Sequence, residues 1–127
     1  MCSSDLDCFK KVNDRYGHPA GDQVILALAR ILKQRLRISD VVGRYGGEEF
    51  ALVLQDVTPE KAVELVNDLR EDFARLTFSG NDTAFSCTFS AGIAIFPKHN
   101  NLERLREASD QALYRAKHNG RNQVVVA

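Results

Sequence analysis

The chain has 127 residues, 44% apolar and 27% charged, with 17 Lys+Arg set against 17 Asp+Glu. That is enough for one domain with one core, and the balanced charge gives no basic field to draw it onto nucleic acid or an anionic membrane surface. No apolar run reaches membrane-spanning length and no secretory leader pattern stands at the start; three cysteines without metal-ligand spacing indicate reduced thiols and a cytoplasmic setting, not a disulfide framework.

Met1 to Asp7 is short and polar. A sheet needs another strand ahead of Asp5, yet Met1-Cys2-Ser3-Ser4 offers little apolar surface, so the first strand reads as cut short. Phe9 to Tyr16 predicts a short helix, broken at Gly17-His18-Pro19. Asp22 is the expected N-cap of a helix running to about Arg37, with Val24, Leu28, Ile31 and Leu32 on one face. The apolar runs Val41-Val42 and Ala51 to Leu54 flank Gly46-Gly47, the pattern of a tight hairpin whose glycines supply positive φ. Thr58-Pro59 predicts a helix start, and Ala62, Val66, Leu69 and Phe73 its buried stripe. Leu76 to Ala84 reads as a loop, and Phe85 to Phe96 as one long strand with Gly92 inside it. Leu102, Leu105, Ala112, Leu113 and Ala116 mark a last helix ending near Gly120, and Gln123 to Ala127 a closing strand. Interspersed strands and helices with a hairpin predict an α+β fold, an antiparallel-rich central sheet with surrounding helices.

The chemistry concentrates at the hairpin tip. Glu48 and Glu49 follow the glycines directly, and adjacent carboxylates repel each other. A solvated polar turn and a cation site are both open readings of the tip alone. If Asp5 ends a strand nearby, it faces Glu48 across a gap. Two carboxylates with a backbone carbonyl make a hard oxygen set suited to Mg²⁺, which keeps waters and recruits phosphate oxygens. Lys10, at the start of the first helix, is placed to meet phosphate, with a solvated surface lysine as the plain alternative. Asn13 and Asp22 offer the acceptors that a guanine edge requires, although helix capping also explains Asp22.

These residues carry a family resemblance. Asp5 to Asp22 resembles the D-x-D-x-F-K-x-x-N-D-x-x-G-H-x-x-G-D motif of GGDEF-domain diguanylate cyclases, and Arg44 to Phe50 is similar to their hairpin in its GGEEF form. Phe89 to Ala94 resembles their S-x-G-I-A strand, and Asp110 to Asn122 their D-x-A-L-Y-x-A-K-x-x-G-R-N segment. The resemblance implies a palm-like nucleotidyl cyclase fold with a ferredoxin-like core. It also implies condensation of two GTP molecules into cyclic di-GMP and pyrophosphate with Mg²⁺ or Mn²⁺. By it, Asp5, the Leu6 carbonyl and Glu48 are the metal ligands; Glu48 is also the base, with Glu49 its acidic neighbour. Asn13 and Asp22 match guanine-binding positions, and His18 lies in the same substrate loop. Lys10 matches a lysine that stabilises phosphate charge, and Lys117 and Arg121 match positions that reach terminal phosphates. Arg37 and Asp40 stand at the spacing of the family's R-x-x-D product-inhibition site, where Arg forks onto phosphate or stacks on guanine.

The pattern departs from the family at its start. The residues 1–127 match a GGDEF domain lacking its N-terminal helix and most of its first strand, which predicts a poorly held Asp5 and reduced activity. A catalytically weak module that binds GTP or cyclic di-GMP is therefore the alternative reading. Activity requires a homodimer, because each site holds one GTP. An upstream sensory or dimerising domain is the expected controller in the parent protein.

Overall fold

The computed structural model describes residues 1–127. They form strands β1 (Cys2–Leu6), β2 (Val41–Arg44), β3 (Glu49–Val53), β4 (Phe78–Gly80), β5 (Thr83–Phe85), β6 (Phe89–Ile93) and β7 (Val124–Val126). The helices are α1 (Phe9–Tyr16), α2 (His18–Arg35), α3 (Pro59–Ala74) and α4 (Leu102–His118). The main sheet has the order β2-β3-β1-β6-β7, and β4 and β5 form a separate hairpin. All neighbours in the main sheet are antiparallel except β6 and β7, which run parallel. This is the antiparallel-rich α+β sheet that the pattern predicts.

β1 occupies the centre of that sheet. Its polar composition hides a strand of five residues, paired with β3 on one side and β6 on the other. Side chains alternate across it. Cys2 and Leu6 join the core with Val24, Leu28 and Leu32 of α2 and Val66, Leu69 and Phe73 of α3. Ser3 faces the other way, where its hydroxyl meets Ser109 Oγ at 2.9 Å and donates to Asp110 Oδ1 at 2.8 Å, both on α4. Ser4 donates to the Phe50 carbonyl at 3.2 Å. Burying a hydroxyl costs little once it is bonded, so these serines are compatible with a central strand. The Asp5 backbone is consequently held between Glu49 and Ser90, contrary to the loose anchoring expected.

Several boundaries differ from the sequence pattern. α2 starts at His18, behind Gly17 at φ 90°, with Pro19 in its first turn. Asp22 therefore lies inside the helix and caps nothing. The helix also stops at Arg35, short of Arg37. Gly46 and Gly47 do not adopt positive φ, so the hairpin does not use its glycines in the way predicted. The expected loop before Phe85 contains the β4–β5 hairpin, turned by Asn81 and Asp82 at φ 50° and 60°, a pairing of left-handed residues typical of two-residue hairpins. The expected long strand is interrupted between Phe85 and Phe89, because β5 pairs with β4 while β6 pairs with β1. By contrast, α3 begins as predicted: Thr58 Oγ1 accepts from Lys61 N at 3.2 Å, and Pro59 opens the helix.

Candidate active site

Strand pairing delivers the acids to one place. The β1–β3 register sets Asp5 opposite Glu49, and Leu6 N donates to the Glu48 carbonyl at 3.1 Å. Tyr45 N closes the hairpin on the Glu49 carbonyl at 2.7 Å, while Arg44 Nη2 clamps the tip through the Gly47 carbonyl at 2.7 Å. Burial pushes the Asp5 carboxyl up to about 6; Lys117 opposes the rise, and Glu48 and Glu49 add to it. Asp5 Oδ1 is buried with no hydrogen-bond partner. Its nearest cation, the Lys117 ammonium, stops 3.6 Å away, beyond hydrogen-bond reach, so this oxygen keeps a free lone pair beside two further acids. The residues present thus fit a divalent cation: the Asp5 carboxylate, the adjacent Leu6 carbonyl and Glu48 are hard oxygen donors. No three His, Cys, Asp or Glu side chains are grouped as a metal cage, so protein side chains alone do not complete a coordination shell here.

The chain supplies one cation itself. Lys117 Nζ donates to the Leu6 carbonyl at 3.0 Å and to Asp7 Oδ1 at 2.8 Å, and lies 3.6 Å from Asp5 Oδ1. Asp7 was not singled out by the sequence reading, yet it is the hub of the site floor. It is buried, and it also accepts from Ser90 Oγ at 2.7 Å, Thr88 Oγ1 at 2.7 Å and Asn122 N at 3.0 Å. Burial pushes its carboxyl up, and the bonds from Lys117, Thr88 and Ser90 more than offset this, holding it below the usual carboxylate range. Arg70 of α3 extends the chain of contacts, donating to Asn122 Oδ1 at 2.8 Å. The signal for Asp7 was present in the period of two from Asp5, which sets both acids on one side of an extended segment.

The remaining predicted residues surround this floor. Lys10 is exposed on the first turn of α1, and His18 is exposed at the start of α2. Asn13 Oδ1 is buried without a partner and lies directly over Gly21, where an added Cβ would come within 1.9 Å of it. Asp22 lines a cleft of about 510 Å³ between α2 and the hairpin, with Ile25, Leu26, Val42, Arg44 and Phe50 among its walls. Asn13 is not among the residues lining that cleft. Arg121 is exposed beyond α4 at φ 63°, its N–H bonded to the Ala116 carbonyl at 2.9 Å. Glu48 is half-buried and Glu49 exposed.

Arg37 and Asp40 lie apart from this group, in the turn between α2 and β2. Asp40, its side chain 2% exposed, accepts from Arg37 N at 2.9 Å, Arg37 Nη2 at 3.4 Å and Gln55 N at 3.3 Å. The Arg37 guanidinium also donates to the Gln55 carbonyl. Asp40 is thus occupied within its own loop, and Arg37, with a side chain 55% exposed, is the part offered to solvent.

Comparison with known proteins bears directly on this arrangement. The family model for "Diguanylate cyclase, GGDEF domain" matches residues 2–123. The diguanylate cyclase DgcP of Pseudomonas aeruginosa is 42% identical over 123 residues, which is 97% of this chain but 18% of that protein, so the chain spans under a fifth of its length. The active GGEEF domain of a diguanylate cyclase from Vibrio cholerae superposes with a TM-score of 0.89 at 35% identity, covering 98% of this chain and 80% of that one. The GGDEF domain of DgcB from Caulobacter crescentus, solved in complex with c-di-GMP, superposes with a TM-score of 0.93 at 29% identity, covering 98% of this chain and 75% of that one.

Proposed function

Because the chain belongs to the GGDEF family of diguanylate cyclase domains, we propose that it condenses two GTP molecules into cyclic di-GMP with release of pyrophosphate. The observation that carries this reading is the buried, unpartnered Asp5 Oδ1 beside the Leu6 carbonyl and the two hairpin acids. Asp5, Leu6 and Glu48 would hold Mg²⁺ or Mn²⁺, which supplies charge neutralisation for phosphoryl oxygens during nucleotidyl transfer. Glu48 takes the proton of the attacking 3′-hydroxyl, with Glu49 beside it. Lys10, Lys117 and Arg121 meet the phosphates. For Lys117 this means exchanging its hold on the Leu6 carbonyl for a phosphate oxygen, a trade of one acceptor for another of greater charge. Asn13 and Asp22 receive the guanine edge, with His18 in the same loop. The unpartnered Asn13 Oδ1 supports this role, and so does the freedom of Asp22 from capping duty.

Two sites of this kind must face each other, since each holds one GTP, so the working form is a homodimer with twofold symmetry. Product inhibition through Arg37 and Asp40 is part of the same proposal, and the exposed Arg37 guanidinium is the group that receives cyclic di-GMP. The chain acts in the cytoplasm, where GTP is available, under an upstream sensory or dimerising domain of the parent protein. No helix is long and apolar enough to cross a membrane. Concentrated protein incubated with GTP and Mg²⁺ is expected to release pyrophosphate and cyclic di-GMP, and Glu48→Gln to abolish both. Equal product from the variant overturns the assignment of Glu48.

A further inference from the structure

The turn after α4 holds its backbone in a way that ending a helix does not require. Gly120 has φ 109°, and Arg121 N donates to the Ala116 carbonyl at 2.9 Å, the bond that closes a glycine-capped helix end. That cap needs a left-handed residue at Gly120 only. Arg121 and Asn122 nevertheless follow at φ 63° and 46°. Asparagine tolerates this region, whereas an arginine in it is uncommon. Such backbone persists only where its surroundings overdetermine it.

The surroundings do so from both faces of the sheet. Asn122 N donates to Asp7 Oδ2 and to Ser90 Oγ, both at 3.0 Å. Gln123 Nε2 donates to the Asn119 carbonyl at 2.8 Å and to the Arg121 carbonyl at 3.2 Å. A further hold comes from α3, where Arg70 Nη1 donates to Asn122 Oδ1 at 2.8 Å and to the Asn122 carbonyl at 3.3 Å. The guanidinium of Arg70 is itself aimed by Asn67, one helical turn earlier, whose Oδ1 accepts from Arg70 Nε at 3.2 Å. The Arg70 side chain is only 17% exposed, so this is not a loose surface contact. The side chain of Arg121, in contrast, stands exposed on the fixed turn. Asp7 also accepts from Lys117 Nζ at 2.8 Å. Lys117 and Arg121 thus hang from neighbouring points of one network, the first through Asp7 and the second through Asn122.

We propose that Arg70 is a positioning residue for the nucleotide triphosphate: by gripping Asn122 it keeps the left-handed turn in the conformation that presents the Arg121 guanidinium to the terminal phosphates. The inference rests on the phosphate-binding reading of Arg121 given above and adds the residue that aims it. Arg70 acts through Asn122 and touches no substrate. Without its grip the turn samples other conformations, and binding must then order it, which takes affinity from the phosphate contact. The effect is confined to the phosphate end of the ligand, because Asn13 and Asp22 lie on α1 and α2 and share no hydrogen bond with this turn.

The test is calorimetric titration of the full chain, with Mg²⁺, using GMP and a GTP analogue bridged by a methylene group between its α and β phosphorus atoms. Arg70→Met keeps the aliphatic stem and removes the donors. It is expected to weaken the analogue about tenfold and to leave GMP binding unchanged. Asn122→Gly keeps the left-handed backbone and the N–H to Asp7 while deleting the Oδ1 that Arg70 grips, and the same split between analogue and GMP is expected. Arg121→Ala is expected to weaken the analogue alone, and adding Arg70→Met to it to cost nothing further, since residues acting through one contact are not additive. Equal weakening of GMP and analogue by Arg70→Met and Asn122→Gly overturns the proposal in favour of a general role in the fold. Full additivity in the double variant overturns it too, as does unchanged analogue binding in both single variants. Wild-type analogue affinity in Arg121→Ala is a separate result: it overturns the phosphate reading of Arg121, and the proposal with it.

Discussion

Asp7 illustrates how one buried side chain can organise a site without being an obvious ligand. Both of its oxygens accept hydrogen bonds, and it fixes Lys117, the Asn122 loop and the Thr88 and Ser90 hydroxyls in one arrangement. Replacing it leaves the Lys117 ammonium near the Leu6 carbonyl without its principal counter-charge. Asp7→Ala is therefore expected to lower unfolding free energy by about 3 kcal/mol, measured as a reduced midpoint in urea. Asp40 makes a pH-dependent contribution. Burial raises its carboxyl, and the Arg37 N–H, the Arg37 guanidinium and the Gln55 N–H outweigh this, so it lies below the ordinary value of 3.8. A carboxyl depressed by folding stabilises fully above its unfolded value and loses that contribution as pH falls through the folded one. Wild type is expected to exceed Asp40→Ala in stability at about pH 7 and the gap to shrink below about pH 4, read from denaturation curves at each pH.

At the scale of elements, the seating of α4 on the sheet depends on the absence of a side chain. A Cβ on Gly92 would lie 2.2 Å from the Ser109 carbonyl and 2.3 Å from Leu113 N, both helix backbone atoms. Gly92→Ala must push α4 outward, and a loss of roughly 1–3 kcal/mol is expected from the overpacking, visible as a lower Tm. The hairpin glycines behave differently. Gly47 has ordinary φ, and a Cβ there meets nothing within 4 Å. Gly47→Ala is expected to keep the wild-type Tm, because the added methyl meets open space. The elements differ in how legible they were. α3 combined a cap, a first-turn proline and an apolar stripe that all agreed, and it appears where predicted. β1 was obscured because its serines are satisfied by α4 and by the Phe50 carbonyl, partners that only the tertiary fold brings near. β4 and β5 were missed because Asn81-Asp82 reads equally well as loop punctuation. At the site, the acids and the hairpin were visible in spacing alone. The coupling of Lys117 to the Leu6 carbonyl joins residues 111 positions apart, and no local pattern encodes it.

For the molecule as a whole, a five-stranded sheet with β1 at its middle brings the end of the first strand, the hairpin tip and the last helix together at one end of the strands. Any motion that separates α4 from β1 therefore alters the acid cluster directly. Lys117 gives this arrangement a consequence for folding. Many clusters of negative groups hold together only when an ion from solution screens them, and such proteins melt when it is stripped away. Here an ammonium tethered to the backbone already offsets part of the repulsion. The expected result is a melting temperature that EDTA leaves unchanged in the wild type, recorded by circular dichroism. Architecture and metal supply are thereby uncoupled: a shortage of divalent metal would leave this domain folded, and refilling the pool would find an intact scaffold.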